Sequence, residues 1–195
     1  MTSETKAVEI VAELMALSAR TAPKARGTDS IVVKVVAGED LKNLAEEMRL
    51  IGEARGLKFI LRDAGNMEQS DACVLIGSQG ESVVGLDCGG CGYPTCQEMR
   101  EAQKGFISQK TPFHGPNCVI RMADLGIALG SAAKTASIHN VDNRIMFSAG
   151  IERAVPGLAG WLQRCLWNPS QGLWKERLLR SADLIDEMRA KASAA

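Results

Sequence analysis

The chain has 195 residues, 46% of them hydrophobic and 24% charged, enough to bury a core without staples and too apolar for a disordered polymer. Lysine plus arginine equals aspartate plus glutamate at 23 each, so no net charge draws it to nucleic acid or an anionic membrane. Aromatics at 4% also argue against base-stacking platforms.

Residues 4–19 place Val8, Val11, Met15 and Ile10, Leu14, Leu17 on one broad helical stripe. Pro23 and Gly27 break that pattern. The β-branched run 31–36 predicts a strand. Residues 39–55 predict a helix, with Leu41, Leu44, Met48 and Ile51 at helical spacing and Gly56 placed as its cap. Lys58 to Arg62 reads as a second strand, and Ala72 to Gly77 as a third, buried on both faces because it lacks alternation. Residues 119–136 predict a helix and 141–155 another. The tail from Gly172 is an amphipathic helix candidate. The apolar stretch Val119 to Ala136 is broken by Arg121, Asp124 and Lys134, so no segment is expected to span a bilayer. The N-terminus lacks a secretory pattern, and a cytoplasmic address is expected.

The fold expected is α/β or α+β: a small mixed sheet, with three or more strands from residues 31–77, flanked by helices. The expected organisation is a first core part over 1–80, a metal-binding loop segment over 81–118, a helical second part over 119–160 and an atypical tail over 161–195.

Six cysteines occur, four of them between residues 88 and 118. In a chain without a secretory signal such clustering points to metal or redox chemistry. The spacing Cys88-x2-Cys91-x4-Cys96-x21-Cys118 supplies four soft thiolates, suited to an iron–sulfur cluster or to zinc. Zinc ribbons normally use two CxxC knuckles, and here the second half is CxxxxC plus a distant cysteine. A zinc-stabilised binding module without redox activity, and a dithiol redox motif at Cys88 and Cys91, remain the alternatives. Gly89, Gly90 and Gly92 let the backbone wrap a bulky group, and their amides are candidate donors to sulfur. Pro94 stiffens the loop and Pro116 shapes the approach to Cys118. Cys73 sits in an apolar strand and reads as core; Cys165 is assigned no role.

The string CGGCGYPTC with its later cysteine resembles the cluster module of corrinoid iron–sulfur proteins and of the cluster-bearing RnfB component of Rnf electron-transport complexes. That resemblance covers residues 87–118 and implies one 4Fe–4S cluster on Cys88, Cys91, Cys96 and Cys118. A wider resemblance, carried by MALSARTAPKARG, DACVLIG, GPNC and DLGIALGSAAKTASIHNVDNRIMFSAG, is to a bacterial and archaeal family of ferredoxin domain-containing proteins of unassigned function. It implies a cluster protein of unknown reaction and names no substrate; electron transfer with a redox partner is the function expected from the cluster. That family closes with a segment like GIPLSASGKNxFFDR, where this chain reads RCLWNPSQGLWKERLLRS. A one-base shift of plausible codons yields such a segment, which makes residues from about 162 onward read as out of frame and a final core strand as missing. Sequencing the DNA tests this; an intact frame shared by close relatives would sink it.

The order of elements also resembles the FMN-dependent nitroreductase-like fold. That resemblance makes Arg20, Lys24 and Arg26 candidate ligands of an FMN phosphate, since guanidinium and ammonium groups suit phosphate oxygens. Solvated loop charges are the plain alternative. The run from Lys134 to Arg144 is dense in polar groups. Lys134, His139, Asn140, Asp142 and Arg144 are expected either to line a pocket where the cluster's electrons are used or to form caps and a buried polar network, with Ser137 or Asn140 capping a following helix. His114 is a candidate donor to cluster sulfur. A homodimer is compatible with all of this, as is an enzyme using an open iron site on three cysteines.

Overall fold

The computed structural model describes residues 2–79, 81–105 and 115–148, and the backbone of 161–167. Helix α1 (Ser3–Thr21) starts at Thr2, whose hydroxyl accepts the Thr5 amide at 3.2 Å. It is followed by a single 3-10 turn (Ala25–Gly27), strand β1 (Ile31–Ala37), helix α2 (Gly38–Arg55) and helix α3 (Lys58–Met67). Strand β2 (Ala72–Ser78), helix α4 (Cys96–Gly105), helix α5 (Val119–Ile138), and strands β3 (Asp142–Met146) and β4 (Trp161–Trp167) complete the order.

The sheet runs β1-β2-β4-β3, and each neighbouring pair is antiparallel. All seven residues of β2 are buried, as its unbroken apolar run requires. Ala72, Val74 and Ile76 face α1 and α5, packing on Val11, Met15, Leu125 and Ala132. Cys73 and Leu75 face the other way, against Leu44, Met48, Ile60 and Met67 of α2 and α3. The molecule is therefore a mixed α/β structure of three layers around a small antiparallel sheet.

Four expectations are corrected. The sheet is antiparallel rather than mixed among the described strands, and 31–77 supplies two strands rather than three. The segment from Lys58 is helical because Ile60, Ala64 and Met67 continue a buried stripe at i, i+4 and i+7, past the point where five residues look like a strand. Residues 142–146 form β3 rather than the start of a helix, because the chain has already turned out of α5 and pairs with β4. Strand β4, at the point where the out-of-frame expectation begins, lies between β2 and β3; the rest of the closing segment lies outside the described residues. The α1 stripe divides: Val8, Val11 and Met15 are buried, whereas Ile10, Leu14 and Leu17 are exposed. The tail helix expected from Gly172 lies outside the described residues. No helix among the described residues is long and apolar enough to cross a membrane.

Candidate metal centre

The four cysteines fall on one short loop and two helix starts. Cys88 is exposed, Cys91 and Cys96 are half-buried, and Cys118 is buried. Gly89 and Gly92 both take positive φ (69° and 87°), and the Gly92 amide donates to the Gly89 carbonyl at 2.9 Å, closing a tight turn around Cys91. That amide is thereby committed, which corrects its expected use as a donor to sulfur. At Gly90 there is no room for a side chain: an added Cβ would lie 2.7 Å from Val119 Cγ1 and 3.6 Å from Cys88 Sγ. This close approach seats the Cys88–Cys91 loop on the first residue of α5, directly after Cys118.

Cys96 opens α4 and Cys118 is the N-cap of α5. Each thus sits at the N-terminal end of a helix, where backbone amides are unpaired by the helix itself. Thr95 caps α4, accepting the Glu98 amide at 3.2 Å. Asp87, which sequence reasoning missed, is held at φ 45°, a left-handed conformation uncommon for a side-chain-bearing residue. Its carboxylate accepts the Cys96 amide at 2.7 Å, joining the two ends of the Cys88–Cys96 loop. Beneath it Val84, Met99 and Cys118 form a small apolar cluster, with Cys91, Tyr93 and Ile120 packed against it, separate from the two cores on the sheet.

The donor set suits iron or zinc: four thiols, two of them at helix N-termini, on a loop whose glycines leave space for a bulky group. Among the described residues no three His, Cys, Asp or Glu side chains converge as they would on a single metal ion; the thiols are distributed around the loop. His114 lies outside the described residues.

A buried ion pair fixes α5 beside this loop. Arg121 Nη1 donates to Asp124 Oδ2 at 3.0 Å and to the Thr28 carbonyl at 2.9 Å, and the Ala25 amide donates to Asp124 Oδ1 at 2.9 Å. Both side chains are almost fully buried. The signal was visible in the sequence: Arg121 and Asp124 interrupt an apolar helix three residues apart, which is the spacing of a same-face pair.

The basic segment behaves differently from its expectation. Lys24 Nζ donates to the carbonyls of Ala19, Arg20 and Ala22, at 3.2, 2.6 and 2.8 Å, and so caps the end of α1 with all three of its protons. Arg20 pairs with Asp29 at 2.6 Å and also donates to the Ile31 carbonyl. Asp29 is pulled to a low pKa: burial acts to raise it, but hydrogen bonds from Arg20 and the Ile31 amide and the charges of Arg20 and Lys24 outweigh that. Arg26 is exposed, at φ 57°, with Nη1 3.4 Å from the Val84 carbonyl.

The polar run lies at the far end of α5. Lys134, His139, Asn140 and Arg144 are exposed and Asp142 is half-buried, so they form no buried network among the described residues. Asn140 takes φ 54°, its amide donates to the Ser137 carbonyl, and the Val141 amide donates to the Ala136 carbonyl at 3.0 Å. This is a Schellman ending, so Asn140 stops α5 rather than capping a following helix. Along α5, about 24 Å of helix separates Lys134 from Cys118, and about 30 Å separates the end of the helix from it.

Three loop cysteines seated against the start of α5, with a fourth as its N-cap, are a donor set of the kind metal-binding proteins use, and the family comparison agrees. The family model described as "uncharacterized protein containing a ferredoxin domain" (DUF2148) matches residues 114–159, which hold Cys118 and all of α5. A protein of Archaeoglobus fulgidus is 44% identical over 144 residues, 74% of this chain and 76% of that one. The chain belongs to this ferredoxin-domain family. Among solved structures, Bacillus megaterium NfrA2 overlaps 87% of this chain and 59% of its own at 10% identity, with a TM-score of 0.49. The hypothetical oxidoreductase YcnD of Bacillus subtilis overlaps 87% and 58% at 13% identity, with a TM-score of 0.47. The chain thus spans less than two thirds of the length of either.

Proposed function

We propose that this chain transfers electrons through one 4Fe–4S cluster held by Cys88, Cys91, Cys96 and Cys118. A ferredoxin domain works by iron–sulfur electron transfer, and when bound such a cluster accepts and releases one electron at a time. The observation that carries the reading is the seating of the Cys88–Cys91 turn on Val119 at the start of α5, made possible by the missing side chain at Gly90, which puts the loop against the residue that follows Cys118. Cys96 and Cys118 stand at the N-terminal ends of α4 and α5, the ends of helices that favour bound anionic groups. Buried Cys118 anchors the site in the apolar patch of Val84 and Met99, and exposed Cys88 leaves one edge open to a redox partner.

The exchange of electrons at that open edge supports a carrier role more than chemistry at the polar run about 24 to 30 Å away along α5. Flavin is not part of this reading, because Arg20 and Lys24 are already engaged by Asp29 and main-chain carbonyls. Anaerobic purification followed by absorption spectroscopy and metal analysis is the test. The expected result is a brown protein, bleached by dithionite, with equal iron and acid-labile sulfide and no flavin. A colourless protein with one zinc defeats the reading. Retention of the full cluster in Cys118→Ser replaces it with an open-site enzyme, and flavin released on denaturation restores the FMN expectation.

A further inference from the structure

Three residues with no part in the cysteine loop fall in one register row of the sheet. Cys73 of β2 stands directly opposite Cys165 of β4, and Cys165 stands directly opposite Arg144 of β3. Residues directly opposite in an antiparallel pair lie on the same face of the sheet. The row two residues along identifies that face: Leu75, Gln163 and Met146 are in register, and Leu75 and Met146 are both buried in the core formed with α2 and α3. Cys73 is buried in the same core. The row Cys73, Cys165, Arg144 therefore belongs to the α2 and α3 face. It runs from fully buried Cys73 on an inner strand to exposed Arg144 on the edge strand β3.

Directly opposed Cα atoms of an antiparallel ladder are about 4.5 or about 5.5 Å apart, according to whether the pair is hydrogen-bonded. Both values lie inside the roughly 4.4–6.8 Å that a disulfide spans. The register thus puts the two cysteines at bridging separation without movement of either strand. Arg144 adds a second condition. Reactive cysteines sit in electropositive, partly exposed surroundings, and a cationic residue of the solvent-facing edge holds the register position beside Cys165. We propose that Cys165 and Cys73 are a peroxide-reactive thiol pair, juxtaposed on the register row that joins β2, β4 and β3, with Arg144 as the positioning residue. The Cys165 sulfur attacks one oxygen of hydrogen peroxide, the O–O bond breaks, and the departing hydroxide leaves as water with the thiol proton. The Cys73 sulfur then attacks the resulting Cys165 sulfenic acid. An S–S bond forms, the S–O bond breaks, and the hydroxyl leaves as a second water with the Cys73 proton. The two thiols lose two electrons in all, and one peroxide is reduced to two waters. The disulfide ties β2 to β4 and closes a covalent loop around the four-cysteine segment and α5. The pair belongs to this chain as it stands, Cys165 falling where the out-of-frame expectation begins.

The full, anaerobically purified chain is treated with one equivalent of hydrogen peroxide, its remaining thiols are alkylated, and disulfides are mapped by mass spectrometry without reduction. A peptide cross-linked through Cys73 and Cys165 is expected, and dithiothreitol is expected to release it. In Cys73→Ala, a sulfenic acid at Cys165, trapped with dimedone, is expected in its place. Arg144→Met is expected to slow cross-linking at least tenfold, and Arg144→Lys to restore most of the rate. Absence of the Cys73–Cys165 peptide from the wild type even at excess peroxide overturns the proposal. Oxidation confined to Cys88, Cys91, Cys96 and Cys118 overturns it too, as does a cross-link formed equally fast in the chain unfolded in urea. If Cys73→Ala fails to fold, the wild-type map and the Arg144→Met rate decide, and an unchanged rate overturns the proposal.

Discussion

Asp87 shows how one residue can hold a metal loop in shape. Its left-handed backbone is unfavourable for any residue but glycine, asparagine or aspartate, and its carboxylate engages the first amide of α4. Asp87→Ala removes the acceptor and leaves the strained φ, and is expected to cost about 1–2 kcal/mol of local stability. Asp87→Asn keeps an acceptor oxygen and tolerates the conformation. The rate of iron loss to a chelator separates them: fast for alanine, near wild-type for asparagine. Equal rates would remove Asp87 from the design of the site. Asp29 gives a pH prediction of definite sign. Its pKa is lower in the folded chain than its ordinary value of 3.8, so its contribution is complete above that value and is lost as the pH falls through the folded pKa. Acid unfolding curves of wild type and Asp29→Asn should therefore converge below pH 3.8, with the wild type more stable above it. The effect is small, because the Arg20 and Asp29 side chains are more than a third exposed and screened.

At the scale of the element, α5 is the member on which the rest depends. Its N-cap is Cys118, its first two turns carry the buried Arg121–Asp124 pair, and its inner face packs on the sheet. Removing one partner of a buried pair is worse than replacing both, since it strands an unpaired charge. Asp124→Ala strands Arg121 and also frees the Ala25 amide, and is expected to cost about 3–5 kcal/mol. Arg121→Met with Asp124→Leu should recover much of that, as read by chemical denaturation. The same element was legible in the sequence as a long apolar helix, but its two charges looked like interruptions. Only the fold shows that they face Thr28 and Ala25. The helix α3 was misread for a related reason: its stripe spans ten residues, and its first five carry too little periodicity to tell helix from strand.

At the scale of the whole molecule, the two ends of α5 separate the cysteines from the polar run that the sequence invited one to join to them. A unit charge about 24 Å away acts through water with roughly 0.2 kcal/mol before salt screening. Lys134→Met and His139→Ala are therefore expected to leave the reduction potential of the loaded protein unchanged; a clear shift in voltammetry would show that the run is coupled to the cluster. The matched family stretch ends at residue 159, just before β4, and it is there that the out-of-frame expectation begins to apply.

By itself the sequence singled out the candidate ligands, because the four thiols and their glycines are local features that can be read without knowing the fold. It also determined α1, β1, α2, β2 and α5, whose long apolar patterns leave one reading each. The tertiary structure alone decided how these are used. It showed which cations are free, since Lys24 reads as a phosphate ligand until its protons are seen on three carbonyls. It showed that Gly90 is needed for contact with Val119, 29 positions further along. It also showed that the sheet is antiparallel, because strand direction follows from how distant segments meet and leaves no mark in any one of them.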